Sequence, residues 1–260
     1  MAMNESLTAG GADATSRGTR SVTLLFTLAL LVLTAGCGEE AASPDAEGYD
    51  VILAGGTVYD GSGAPAYEAD VAIAGDTVAA IGDIEAERAD TVLDVSGLAV
   101  APGFINAHSW ATGSLLIDGR SMSDLKQGVT TEVFGEGITM GPINERLRKL
   151  YGSERDRDYP PPGYDITWST LRGYLQHLEE RGVTPNVTSF VGATTLRQYE
   201  VGNEDRPPTA EELRRMTDLV AEEMRDGALG LGSRLAYAPA SYAETPELVA
   251  LARASARYGG

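Results

Sequence analysis

The stretch Thr91-Val92-Leu93-Asp94-Val95-Ser96-Gly97-Leu98-Ala99-Val100-Ala101-Pro102-Gly103-Phe104-Ile105-Asn106-Ala107-His108 is where the chain changes character. Upstream of it, short apolar runs alternate with turn residues. Residues 49–53 run into Gly55-Gly56, 57–59 into Asp60-Gly61-Ser62-Gly63, and 70–73 into Gly75-Asp76, with 78–81 and 91–95 following. Turn signals this close together mark residues 49–98 as a small all-β unit. Downstream, a buried strand at 99–106 and further strands at 130–134, 186–191 and 228–232 alternate with helical patterns. The stretch 168–181 places Leu171, Tyr174, Leu175 and Leu178 at helical spacing. Thr209 with Glu212 three residues on is a capping box opening a second helix, whose face is Leu213, Met216, Leu219, Val220 and Met224 and which Gly227 ends. Thr245 is expected to cap a third helix, with Pro246 at its first position. Strands alternating with helices mean a parallel sheet. The charged, proline-rich stretch 151–165 is expected to be a surface insertion.

The composition excludes some classes of protein. With 43% hydrophobic residues the 260-residue chain can bury a core and is not intrinsically disordered. Its 20 Lys and Arg against 38 Asp and Glu give a net charge of −18, which repels a phosphate backbone, so nucleic acid is not an expected partner. The N-terminus has an export pattern. Arg17 and Arg20 precede the uncharged run 22–33, too short to span a bilayer, where about 20 apolar residues are needed, and suited to a signal peptide. Thr34-Ala35-Gly36-Cys37 then resembles a bacterial lipoprotein cleavage site, with Cys37 as the acylated residue; an ordinary secretory signal is the alternative. Residues 1–36 are thus expected to be a lipoprotein signal peptide and 37–48 an acidic linker. The resemblance implies a membrane held through lipid alone, at the cell envelope on the periplasmic or extracytoplasmic face. Cys37 is the sole cysteine, so no intrachain disulfide can form.

Ala101-Pro102-Gly103-Phe104-Ile105-Asn106-Ala107-His108, preceded by the β unit, resembles the amidohydrolase superfamily. Lys126-Gln127-Gly128-Val129-Thr130-Thr131-Glu132-Val133, Asn186-Val187-Thr188-Ser189-Phe190-Val191-Gly192-Ala193 and Gly227-Ala228-Leu229-Gly230-Leu231-Gly232-Ser233 narrow the likeness to its N-acyl-D-amino-acid deacylases. Matching blocks in order weigh more than one short motif. The resemblance implies an α/β fold: a small β-sandwich portion, residues 49–98, then the first half of a (β/α)8 TIM-like barrel, residues 99–260. It further implies that the chain is the N-terminal part of a longer enzyme. In that enzyme the catalytic base and the tightest metal ligands would lie beyond residue 260. The activity implied is metal-dependent hydrolysis, with Zn2+, of the amide bond of N-acyl-D-amino acids. Hydrolysis of a cyclic amide or a dipeptide is an alternative, and so is a lipid-anchored binding protein whose catalysis has decayed.

The departures from the family pattern bear on the site. The first barrel strand of the family ends in His-x-His; His108 matches its first position, and Trp110, a donor only, stands at the second. Glu136, between Gly135 and Gly137, stands near the position of a zinc-binding cysteine, and a carboxylate can ligate zinc. His108 and Glu136 are therefore the candidate metal ligands. Two donors fall short of the three or four that a zinc site wants, so residues 1–260 alone are expected neither to bind zinc tightly nor to turn over substrate. Ser233 and Arg234, after the fourth strand, and Trp110 are candidate substrate contacts, Arg234 for a carboxylate by a bidentate fork or else in an internal ion pair. Asn106 is expected to pin a loop and His177 to lie on a helix surface. Arg197 is either a salt-bridge partner or a pocket residue.

Overall fold

The computed structural model describes residues 48–153 and 159–260. The lipoprotein signal, Cys37 and most of the acidic linker lie outside the described residues. Five strands come first: Tyr49–Val58 (β1), Tyr67–Ala74 (β2), Thr77–Gly82 (β3), Ala89–Asp94 (β4) and Ala99–Val100 (β5). They form one sheet in the order β3-β2-β1-β4, with β5 joining the same edge of β1 further along. β1 and β2 are antiparallel, with a register shift between Leu53 and Gly56 that lets the two short apolar runs of the sequence form one ten-residue strand. β4 and β5 both run parallel to β1. Tyr49, Ile52 and Ala72 make a small core on one face. Val92 and Leu93 of β4 remain exposed.

The single strand expected over 99–106 is two. β5 closes the first sheet, and Pro102, which has no N–H to give to a ladder, separates it from Phe104–Asn106 (β6), the first strand of the second part. Nor is β6 a buried strand: Phe104 and Ile105 are 63% and 66% exposed. After a short helix at Met122–Leu125 (α1) comes Val129–Phe134 (β7), then the helices Glu145–Tyr151 (α2) and Leu171–Arg181 (α3). Asn186–Ser189 (β8) and Val191–Gly192 (β9) follow as one interrupted strand before the helices Ala193–Glu200 (α4) and Ala210–Arg225 (α5). Leu231–Gly232 (β10) and Thr245–Ala256 (α6) complete the order. β6-β7-β8 pair in parallel, and β9 pairs in parallel with β10. Four successive strand positions therefore run side by side in one direction, with helices in the connections.

The helix starts follow their caps. Thr170 Oγ1 accepts the Gly173 N–H, so α3 begins three residues after Trp168. Thr209 and Glu212 form both halves of the expected capping box on α5. In α6 the cap is Glu244 rather than Thr245, which is already helical. The main core is built from Leu171, Tyr174 and Leu178 of α3, Met216 and Val220 of α5, Leu196 of α4 and Leu251 of α6, against Phe134 and Val191 of the strands. Each such side chain contributes roughly 1.5–3 kcal/mol of burial. Within the expected surface insertion, Tyr151 is fully buried and its hydroxyl pairs with Thr195 Oγ1 at 3.0 Å, so the insertion is anchored at that end; residues 154–158 lie outside the description. His177 is not on an open surface. Its Nε2 shares a 2.7 Å hydrogen bond with the Tyr164 hydroxyl, and its ring lies 5.0 Å from that of Trp168, tying 164–168 to α3.

Two buried charges hold the helices in place. Arg197 of α4 is fully buried and donates to Glu247 of α6 at 2.6 Å and to the carbonyl oxygens of Glu204 and Arg206. It is the salt-bridge partner of the two alternatives. Glu223 of α5 accepts the Leu171 N–H at 2.9 Å, at the start of α3. Burial pushes the Glu223 carboxyl up from 4.5 to about 7; the Leu171 N–H opposes that, and the charges of Asp226 and Glu222 add to it.

Two outcomes are expected. Arg197→Met strands the Glu247 carboxylate and should lower unfolding stability by about 3–5 kcal/mol. Arg197→Met/Glu247→Leu should recover part of that loss in urea melts, the contacts to Glu204 and Arg206 staying lost. For Glu223, the folded state holds the proton more tightly than the unfolded chain, so stability falls as pH rises from 4.5 to about 7 and stays lost above. Glu223→Gln should flatten that slope, worth up to about 3 kcal/mol, between urea midpoints at about pH 5 and about pH 8.

Candidate functional site

The site lies at the C-terminal ends of the parallel strands. Active sites of α/β barrels are built there. Parallel pairing sets Asn106 of β6 opposite Glu132 of β7. The chain leaving β6 carries His108 and Trp110, and the chain leaving β7 carries Glu136, so the two candidate ligands arrive on neighbouring tips. His108 Nε2 lies 3.0 Å from Glu136 Oε2. Ser233 and Arg234 follow β10 on the next position but one. An open cavity of about 320 Å3 runs between these tips, with His108, Glu136 and Ser233 at its polar side and Val133, Phe190 and Leu231 at its apolar side.

The β6 tip is held rigidly. Asn106 Oδ1 accepts the His108 N–H at 3.3 Å, so Asn106 pins the loop as expected. The Ser109 N–H donates to the Val133 carbonyl at 2.9 Å. Glu132, fully buried, accepts the Ser109 hydroxyl at 2.6 Å and the Ser121 hydroxyl at 2.8 Å. Ser121 has a left-handed backbone, φ 43°, which aims its hydroxyl from outside the strand pair. The Tyr174 hydroxyl of α3 donates to the Thr112 carbonyl at 2.8 Å. Glu132 and Ser109 were not picked out from the sequence; the available signal was a carboxylate among the β-branched residues of a strand, in Val129-Thr130-Thr131-Glu132-Val133.

The β7 tip is shaped by its glycines. Gly135 has φ +97°, a conformation an L side chain rarely adopts. A Cβ on Gly232 would come within 1.8 Å of the Gly135 carbonyl, so β10 can pass beside this turn only as glycine. Glu136 is thereby aimed back toward β6. Its Oε2 is buried and makes no hydrogen bond among the described residues. Instead it faces two groups: His108 Nε2 and, at 3.8 Å, the Arg234 guanidinium. The guanidinium lies over two rings, 4.5 Å from the Trp110 centroid and 5.1 Å from that of Tyr237. Trp110 closes the circle by donating its indole N–H to His108 Nε2 at 2.9 Å. Of the candidate residues, the structure therefore gathers His108, Trp110, Glu136 and Arg234 into one contact set, with Ser233 on the wall of the cavity. Tyr237 joins them unannounced, five residues past the end of the strand.

The donor set can be weighed for a metal. A buried carboxylate oxygen without a hydrogen bond, converging with an imidazole nitrogen, is the chemistry of a divalent cation's coordination shell. The fit is in kind and not in number: among the described residues no group of three His, Cys, Asp or Glu side chains is placed to hold a metal ion.

No family model matches the chain. It is 36% identical over 217 residues to a D-aminoacylase of Alcaligenes xylosoxydans xylosoxydans, covering 83% of this chain and 44% of that protein. Two solved structures resemble it. One is a D-aminoacylase described as defining a novel subset of amidohydrolases, with TM-score 0.70, 32% identity, and 82% of this chain and 44% of the other covered. The other is the N-acyl-D-glutamate deacylase of Bordetella bronchiseptica in complex with zinc and a phosphonate inhibitor, with TM-score 0.71, 30% identity, and coverage of 81% and 44%. The chain thus spans less than half the length of these relatives, and its parallel strands agree with part of their barrel. Over the part it shares with them, the chain belongs to the amidohydrolase family as a homologue of the D-aminoacylases and N-acyl-D-amino-acid deacylases.

Proposed function

We propose that the protein to which residues 48–260 contribute hydrolyses the amide bond of N-acyl-D-amino acids with the help of zinc. The observation that carries this reading is the convergence of His108 Nε2 and Glu136 Oε2, 3.0 Å apart, on two adjacent strand tips of a chain homologous to deacylases. His108 and Glu136 would hold one corner of the metal site, and the remaining donors and the catalytic base would come from the part of the relatives' length that this chain does not share. Zinc, when bound, lowers the pKa of its water toward about 7 and polarises the scissile carbonyl. The other groups of this chain would act on the substrate. Trp110, Phe190 and Leu231 offer apolar surface for the acyl group and keep water from it. The Ser233 hydroxyl, exposed at the cavity wall, can donate to a substrate oxygen. Arg234 can take the substrate carboxylate, its positive charge being shared between Glu136 and an incoming anion.

Two further parts of the proposal concern the rest of the molecule. The five-stranded sheet of β1–β5 would be one layer of a sandwich, its exposed Val92 and Leu93 covered by a second layer. Acylation at Cys37 would anchor the protein to the membrane at the cell envelope. A lipid-anchored binding protein is the second reading, favoured by the indole N–H that occupies His108 Nε2.

Purified 260-residue chain is expected to release no amino acid from N-acyl-D-amino acids in the presence of zinc; measurable turnover by it would sink the division of the site. In the whole gene product, His108→Ala and Glu136→Gln should each lower kcat/KM by about tenfold to a hundredfold with an unchanged circular dichroism spectrum. Unaltered kinetics in both would favour the binding protein. Cys37→Ser should move the protein from the membrane fraction to the soluble envelope fraction and abolish the acyl mass increment on the N-terminal peptide.

A further inference from the structure

His108 and Glu136 are not simply waiting for a cation. The Nε2 lone pair that would bind one already accepts the Trp110 indole N–H at 2.9 Å. The negative charge of Glu136 already faces the Arg234 guanidinium at 3.8 Å. These two competitors support each other, because the guanidinium lies 4.5 Å from the Trp110 ring centroid and 5.1 Å from that of Tyr237. Such a contact is favourable in itself and holds the indole in the plane from which it reaches His108. From this arrangement, and resting on the reading of His108 and Glu136 as a metal corner, we propose that Trp110 and Arg234 are built-in antagonists of metal binding there. The indole N–H takes the imidazole lone pair, the guanidinium supplies the countercharge, and together they set the affinity of the corner for a divalent cation low.

The contacts dictate what each substitution does. Trp110→Phe keeps an aromatic face for Arg234 and removes only the N–H, so it frees the His108 lone pair. Arg234→Met keeps much of the side-chain bulk and removes the charge facing Glu136. A cation entering the wild-type corner must break the indole hydrogen bond and approach the guanidinium. In the variants one of those costs is gone. Neither residue can ligate, since indole and guanidinium are donors only, and Trp110→Phe adds no ligand; because a methionine thioether can ligate, Arg234→Leu, which adds no donor atom, must show the same gain as Arg234→Met.

The test is a titration of the 260-residue chain with zinc(II) by calorimetry and with cobalt(II) by visible absorption. The wild type, Trp110→Phe, Arg234→Met, His108→Ala and Glu136→Gln are compared, together with Trp110→Phe and Arg234→Met each combined with His108→Ala. Trp110→Phe and Arg234→Met are each expected to bind zinc about tenfold more tightly than the wild type, the effect of one hydrogen bond or one nearby charge. Both should give stronger cobalt d–d bands, and His108→Ala should erase the gain in both. Should Arg234→Met fail to fold by circular dichroism, Arg234→Leu replaces it. If His108→Ala weakens wild-type binding while Trp110→Phe and Arg234→Met leave the affinity where it was, the antagonism is wrong and the metal corner stands. If no variant, with or without His108 and Glu136, differs in cation binding, the metal corner and the antagonism fall together. A gain in affinity that survives His108→Ala places the cation elsewhere and also overturns the proposal.

Discussion

The parallel pairing of β6 with β7 is the constraint on which the site depends. With Asn106 opposite Glu132, the two chains leave the sheet side by side, so residues 28 positions apart in sequence meet within 3.0 Å. A slip of one residue would turn Glu132 to the other face of β7 and leave a carboxylate where Val133 now sits. The register is held from several directions: by the Ser109 N–H on the Val133 carbonyl, by Asn106 on the His108 N–H, and by the two serine hydroxyls on Glu132. A buried carboxylate with two charge-assisted hydrogen bonds is stable where it is and costly anywhere else, which makes Glu132 a specific lock on β6.

The same tips are crowded by backbone. Gly232 passes the Gly135 carbonyl, and a Cβ on Gly192 would come within 2.2 Å of the Gly137 carbonyl. The turn 135–137 is thus clamped between β9 and β10, and Glu136 has little freedom to retreat from His108. Rigidity of this kind suits a site: side chains already in place give up little entropy when a ligand arrives. The helices behind the tips add to it, with Tyr174 of α3 fixing Thr112 and the buried Arg197–Glu247 pair joining α4 to α6.

Much of this was legible in the sequence, and the rest was not, for physical reasons. The Thr209–Glu212 box and the Leu171, Tyr174 and Leu178 spacing are local signals, and local signals survive into the fold. The division of 99–106 into β5 and β6 was hidden because apolar residues on both sides of Pro102 share one pattern. Only the pairing partner, β1 or β7, separates them. The apolar run 99–106 likewise read as a buried strand, whereas Phe104 and Ile105 are exposed, because burial on a strand depends on what else packs there. His177 looked like a helix-surface residue because its partners, Tyr164 and Trp168, come from a preceding segment without regular structure. At the site, His108 and Glu136 could be named from the resemblance to the deacylases, whose ligand positions they match. The grouping of Trp110 with Arg234 and Tyr237 could not, since it needs the distance between β6 and β10.

That grouping changes how the departure at Trp110 is understood. A tryptophan in place of a histidine in His-x-His is, by itself, the loss of a ligand. Here it arrives with a guanidinium on its face and a carboxylate opposite, and the charge of Arg234 counters that of Glu136 beside the imidazole. The corner is therefore close to electroneutral and nearly satisfied without any ion, apart from the one bare oxygen of Glu136. Restoring a histidine at 110 alone would return a ligand while leaving the guanidinium beside it, where like charges a few ångströms apart repel by roughly 1–4 kcal/mol depending on solvent access. Residues in mutual contact do not act additively. The chemistry of this strand-tip corner is a property of the four side chains together, and the identity of position 110 carries meaning only alongside that of position 234.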